Sequence, residues 1–131
     1  MATVLIVEDD KANILVFSKI LKKRAGLDVR ATEDVEEVVE LADSGQIDLI
    51  LMDVALSRSL YNGQSIDGIK ITQMLKARER TQHLPIILVT AHAMRGDREN
   101  FLGQSGADDY ISKPVVDQQA FVDKILSLIK A

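Results

Sequence analysis

Cysteine is absent from this 131-residue chain, and histidine occurs only twice, at His83 and His92. Without cysteine there is no disulfide, no thiolate nucleophile and no cysteine-ligated zinc. Two histidines are too few for a histidine-built metal site. An excess of positive charge is also missing. Twenty acids against sixteen bases leave a net charge of −4, which argues against general nucleic-acid binding. No apolar run approaches the length that crosses a bilayer. The N-terminal run Val4-Leu5-Ile6-Val7 is too short for a signal core and meets three acids, so a cytoplasmic protein with no membrane partner is expected. What remains is the composition of a globular chain: 47% apolar and 27% charged residues exclude disorder. The length suits one domain with a core that needs no covalent staple.

Three short, nearly continuous apolar runs stand out: Thr3 to Val7, Ile47 to Met52, and Pro85 to Val89. Neither alternation nor helical period describes them, which is how strands buried on both faces of a parallel sheet read. Asp28 to Ala31 and Asp109 to Ser112 are weaker strand patterns. Helical patterns lie between. Lys11 to Ala25 places Ile14, Phe17 and Leu21 on one face and stops at Gly26. About Glu33 to Ala42, and about Ile66 to Glu79, further apolar faces recur. Arg95 to Ser105 is polar and weakly patterned, and Asp117 to Lys130 repeats Phe121, Ile125, Leu128 and Ile129. The order is strand then helix, five times over. That alternation predicts right-handed crossovers and a parallel sheet with helices on both faces. No repeat, low-complexity tract or linker interrupts it. With Met1 in place and no output domain after the last helix, one stand-alone domain over residues 1–131 is expected.

In open parallel sheets, ligands bind beyond the carboxyl ends of the strands. Glu8, Asp9 and Asp10 follow the first expected strand, and Asp53 ends the third. Thr90, Ala91 and His92 follow the fourth, and Lys113-Pro114 the fifth. Singly, each has a plain reading: the acids cap a helix, Thr90 closes a turn and Lys113 is a solvated charge. Together they supply acids, a hydroxyl and an ammonium to one sheet edge, and capping does not predict the lysine. Clustered carboxylates at neutral pH need a cation. Hard oxygen ligands without cysteine or histidine suit Mg²⁺. A carboxylate beside that ion can attack phosphorus to give an acyl phosphate. Phosphoryl transfer then needs mainly positioning and neutralisation of oxygens. For His92 a solvated loop position is the simpler reading, and for Tyr110 a half-buried packing role.

The pieces V-L-I-V-E-D-D, D-L-I-L-M-D, I-I-L-V-T-A and G-A-D-D-Y-I-S-K-P, in this order, resemble the receiver domain of two-component response regulators. T-A-H-A-M-R-G-D followed by Y-I-S-K-P is similar to single-domain regulators and the receivers of hybrid kinases. The resemblance implies a flavodoxin-like doubly wound α/β fold with a five-stranded parallel sheet in the order 2-1-3-4-5. It implies that Asp53 is the phosphoacceptor. Glu8 and Asp9 would hold Mg²⁺ with Asp53 and the backbone carbonyl of Ala55. Thr90 would be the switch hydroxyl, Tyr110 the aromatic that moves with it, and Lys113 the partner of the phosphoryl oxygens. The Lys113–Pro114 peptide would be cis. The partners implied are a sensor histidine kinase or a histidine phosphotransfer protein. A downstream target would bind the face formed by the fourth helix, fifth strand and fifth helix. The chain would be a monomer or weak dimer, and no enzyme beyond accepting and hydrolysing its own phosphoryl group. A phosphorylation-independent adaptor on the same fold is the alternative. A Mg²⁺ phosphohydrolase is disfavoured, because the second acid of such enzymes is replaced by Ala55.

One segment departs from the family pattern. The usual Met-Pro after the acceptor is Leu56-Ser57, and Asp67-Gly68 arrives about seven residues late. An enlarged loop at about 54–65 is therefore expected between the third strand and third helix, where 2–6 residues are usual. Its Leu56, Leu60 and Tyr61 would either dock a partner or shield Asp53, or simply pack within the loop.

Overall fold

The computed structural model describes residues 2–54, 67–90, 99–113 and 115–129, and the backbone of 60–61, 64–65 and 97–98. Its elements are β1 (Thr3–Val7), α1 (Lys11–Ala25), β2 (Asp28–Thr32), α2 (Val35–Asp43) and β3 (Leu49–Asp53). There follow β4 (Leu60–Tyr61), β5 (Gln64–Ser65), α3 (Gly68–Lys76), β6 (Ile86–Thr90), α4 (Asp97–Ser105), β7 (Asp109–Ser112) and α5 (Gln118–Ile129). Five strands form one parallel sheet in the order β2-β1-β3-β6-β7. With the small β4–β5 pair set aside, this is the expected 2-1-3-4-5 order. No helix among the described residues is long and apolar enough to cross a membrane.

The apolar runs read as continuous because the sheet has a core on each face. Leu5, Val7, Ile50, Met52, Ile86 and Leu88 point to the side of α2 and α3. Val4, Ile6, Leu49, Leu51, Ile87 and Val89 point to the side of α1 and α5. Every residue of β3 and β6 is buried. Phe17 of α1 stacks on Phe121 of α5, with ring centroids 5.5 Å apart, and ties the two helices of one face together.

Most differences between expected and observed helix starts have one cause. An acidic residue that the pattern placed inside each helix stands outside it as a cap. Asp34 accepts from Glu36 N, Asp67 from Lys70 N, and Asp117 from Ala120 N. α1 ends at Gly26, whose φ of 63° is the left-handed conformation that glycine adopts freely. The apolar run from Ile47 to Met52 likewise begins before its strand. Ile47 is buried, but β3 starts at Leu49, after Asp48 has accepted the Thr3 amide through its side chain at 2.8 Å.

The enlarged connection carries secondary structure of its own. β4 and β5 pair antiparallel, Leu60 opposite Ser65 and Tyr61 opposite Gln64. The two residues between them are Asn62-Gly63, a pair favoured in two-residue hairpin turns. The backbone of β4 runs close to that of α2. The side chains of Leu56, Leu60 and Tyr61 lie outside the described residues, as does the start expected for the fourth helix at Arg95.

Candidate acidic site at the carboxyl edge of the sheet

The two-residue period of the strands sorts the site before any distance is measured. Glu8 continues the phase of Val4 and Ile6, Asp53 that of Leu49 and Leu51, and Lys113 that of Ile111. All of these reference residues pack on the α1–α5 side. Thr90 continues the phase of Ile86 and Leu88, and Tyr110 belongs to the core on the opposite side. The charged groups thus converge on one side of the sheet edge, and Thr90 and Tyr110 on the other.

The distances agree. One carboxylate oxygen from each of Glu8, Asp9 and Asp53 lies within 4.8 Å of the other two, the only such acidic group among the described residues. Lys113 Nζ donates to Glu8 Oε1 at 3.1 Å and stands 3.7 Å from Asp53 Oδ1. Two of the group's acids are nearly dry, Glu8 3% exposed and Asp53 5%, while Asp9 is half-buried and the Lys113 side chain is 13% exposed. Burial first, and then the adjoining Asp53 carboxylate, push Glu8 up from 4.5 to about 7, against the Lys113 ammonium and the Asn13 side chain. One ammonium does not neutralise three acids. Glu8 Oε2 is buried with no hydrogen-bond partner. A hard divalent cation fits this donor set, because it would satisfy that oxygen and relieve the repulsion that raises Glu8.

The three acids after β1 divide their work. Asp10 is the N-cap of α1, accepting from Ala12 N at 2.8 Å and Asn13 N at 3.4 Å. Only Glu8 and Asp9 face the group. Beneath the carboxylates, Ile6, Phe17, Leu51 and Val89 close the packing and leave no water-sized space. Among the described residues, no metabolite-sized cavity lies below the carboxylates. Thr90 is buried at the end of β6, and its carbonyl accepts the Lys113 amide at 2.7 Å, which joins β6 to the lysine's own backbone. Tyr110 is 8% exposed, and its ring lies 6.0 Å from that of Phe101 in α4. Ala55, Pro114 and His92 lie outside the described residues. Asn13 was not anticipated; its place in the first turn after the acids was the available signal.

The family model for the response regulator receiver domain matches residues 4–126. The chain belongs to that family. Among curated relatives, the receiver is 37% identical over 113 residues to the polar-differentiation response regulator DivK of Brucella ovis. That match covers 86% of this chain and 85% of the relative. Among solved structures, it is similar to the receiver domain of a sensor histidine kinase from Pseudomonas aeruginosa. That comparison has a TM-score of 0.81 and 32% identity, and covers 99% of this chain and 98% of the other. The Pseudomonas domain holds a magnesium ion in its active-site cleft. A putative response regulator from Chloroflexus aurantiacus superposes with a TM-score of 0.83 at 26% identity, over 99% of this chain and 98% of that one.

Proposed function

We propose that this receiver takes a phosphoryl group onto Asp53 from a phosphohistidine of a sensor histidine kinase or histidine phosphotransfer protein, and that the new charge switches its binding to another protein. The observation that carries the reading is the part-buried Lys113 ammonium, 3.1 Å from Glu8 and 3.7 Å from Asp53, facing a three-carboxylate group. A capped, purely structural sheet edge has no use for that arrangement.

In the step, an oxygen of the Asp53 carboxylate attacks phosphorus, the phosphorus–nitrogen bond breaks with its electron pair passing to the ring nitrogen, and the imidazole, already protonated on its other nitrogen, leaves neutral. Glu8 and Asp9 would hold Mg²⁺ together with Asp53 and the Ala55 carbonyl. When bound, the ion supplies charge neutralisation for the transferring oxygens. Lys113 neutralises a further oxygen from the opposite side. The acceptor peptide is held by the Val54 amide, which donates to Val89 at 3.0 Å. Once phosphorylated, Asp53 draws the Thr90 hydroxyl toward the new oxygens. The space so opened on the far side of β6 is taken up by Tyr110, which biases α4 and the α4–β7–α5 face toward its active arrangement. The fold over residues 1–131 then acts as one receiver, with the β4–β5 hairpin as its added element.

The test is transfer of labelled phosphoryl from a phosphorylated kinase or phosphotransfer protein in Mg²⁺. Label is expected on the parent protein and none on Asp53→Asn. Label that persists on Asp53→Asn overturns the reading.

A further inference from the structure

The first turn of α3 is seated on the main chain of Asp53. The Gly68 amide donates to the Val54 carbonyl at 3.2 Å. A Cβ placed on Gly68 would stand 2.0 Å from the Asp53 carbonyl oxygen, 2.8 Å from its carbonyl carbon and 3.0 Å from Met52 Cγ. The two shortest contacts are with backbone, which has no rotamer by which to move aside. Glycine is not required here for conformation. Positive φ occurs at Gly26, Gly45 and Gly106 and not at Gly68, so the requirement at 68 is for space alone.

Neither side of this contact can readily withdraw. α3 is anchored by Ile71, Thr72 and Leu75, all fully buried. The Thr72 hydroxyl donates to the Gly68 carbonyl at 2.8 Å, and Asp67 caps Lys70 N at 2.9 Å. Opposite, Asp53 registers with Val89 in the middle of the sheet. Close-packed interiors transmit such a displacement to the next group along. Here the next group is the Asp53 carboxylate, set against Lys113 and Glu8.

We propose that Gly68 is a positioning residue for Asp53. Its missing side chain lets α3 press on the Asp53 peptide and hold the carboxylate where Lys113 and the other acids meet it. The same contact closes the 54–67 excursion at its base, so the hairpin can be long without moving the acceptor. The proposal rests on Asp53 being the phosphoacceptor.

The test compares Gly68→Ala with Gly103→Ala, an exposed helical glycine whose Cβ would meet nothing within 4 Å. Transfer rate is measured against donor concentration, and Mg²⁺ affinity separately. Gly68→Ala is expected to lower the maximal rate about tenfold or more, a typical cost of sub-ångström to ångström misplacement. Donor half-saturation should stay within about threefold, Mg²⁺ affinity should fall along with the rate because Asp53 belongs to the acidic group, and Gly103→Ala should match the parent. The Val54 amide resonance should shift in Gly68→Ala alone, a readout independent of phosphorylation. A folded Gly68→Ala with the parent's rate and an unmoved Val54 resonance overturns the proposal. Should Gly68→Ala not fold, a variant with residues 57–64 replaced by Gly-Gly decides. Retained transfer supports the contact at Gly68 as the positioning element, and a folded but inactive variant assigns positioning to the hairpin instead. Absence of label on the parent, or label on Asp53→Asn, removes the phosphoacceptor reading; the Val54 resonance still shows whether Gly68 positions Asp53.

Discussion

Lys113 and Glu8, 105 residues apart in sequence, form a largely buried ion pair at 3.1 Å, with Glu8 the fully buried partner, that links the ends of the edge strand β7 and the inner strand β1. The pair is incomplete as a neutral unit, because Asp53 shares the same ammonium at 3.7 Å. Removing one partner of a buried pair leaves the other charge uncompensated, which is the costly way to break it. Lys113→Ala is therefore expected to destabilise the metal-free protein by about 3 kcal/mol. Mg²⁺ should raise the melting temperature of this variant more than that of the parent, since the ion then carries the compensation alone. Equal gains in the two proteins would show that Lys113 and the ion do not share the carboxylates.

The raised Glu8 sets a pH dependence with a definite sign. Folding lifts its carboxyl from 4.5 to about 7. Between those values the folded protein keeps a proton that the unfolded chain has released, so stability falls as pH rises through the window. In chelator, Tm should be several degrees higher near pH 5.5 than near pH 8, a shift of ordinary size for a domain of this length. Glu8→Gln should flatten the slope. Mg²⁺ should do the reverse of a proton, stabilising most at high pH and binding more weakly as pH falls below about 7. A parent profile as flat as that of Glu8→Gln would exclude Glu8 as the titrating group.

Asp9 and Asp10 are adjacent, yet their substitutions should have opposite signatures. Asp9 belongs to the three-acid group, whereas Asp10 is spent on the amides of Ala12 and Asn13. Asp9→Asn is expected to weaken Mg²⁺ affinity by about tenfold or more, the scale of losing a charged ligand. Asp10→Ala should cost about 1 kcal/mol of stability through the lost cap and leave Mg²⁺ affinity nearly unchanged. Calorimetric titration paired with thermal melts reads both quantities, and a large affinity loss in Asp10→Ala would contradict the division.

The sheet and its charged edge were legible because buried parallel strands write themselves as unbroken apolar runs, and strand ends point to one edge. Thr3–Val7 and the acids that follow it needed no other information, and neither did Asp53 or Lys113. What stayed hidden was set by contacts made in three dimensions. Nothing in E-D-D says that the third acid turns back onto its own helix. The hairpin of β4 and β5 read as a loop because two-residue strands are too short for a period, although Asn62-Gly63 was a usable turn signal. Gly68 looked like a family motif displaced in register. Its spatial reason, the carbonyl of Asp53 where a Cβ would be, exists only once α3 has docked.

Tyr110 would give an optical readout of the proposed switch, because the chain lacks tryptophan and has only one other tyrosine, Tyr61. In the structure Tyr110 is almost wholly buried and packs on Phe101 of α4. Aromatic pairs of this kind contribute about 0.5–1.5 kcal/mol beyond the area they bury. The ring is therefore held until something offsets that contact. In a Tyr61→Phe background all tyrosine emission comes from Tyr110. Phosphoryl transfer to Asp53 should change its intensity and its quenching by small anions, and Asp53→Asn should abolish the change. Phe101→Ala should move the unphosphorylated protein part of the way to the phosphorylated signal, because it removes the packing that keeps the ring in place. Emission that ignores phosphorylation would confine Tyr110 to core packing, with the signal leaving the site by another route than β7 and α4.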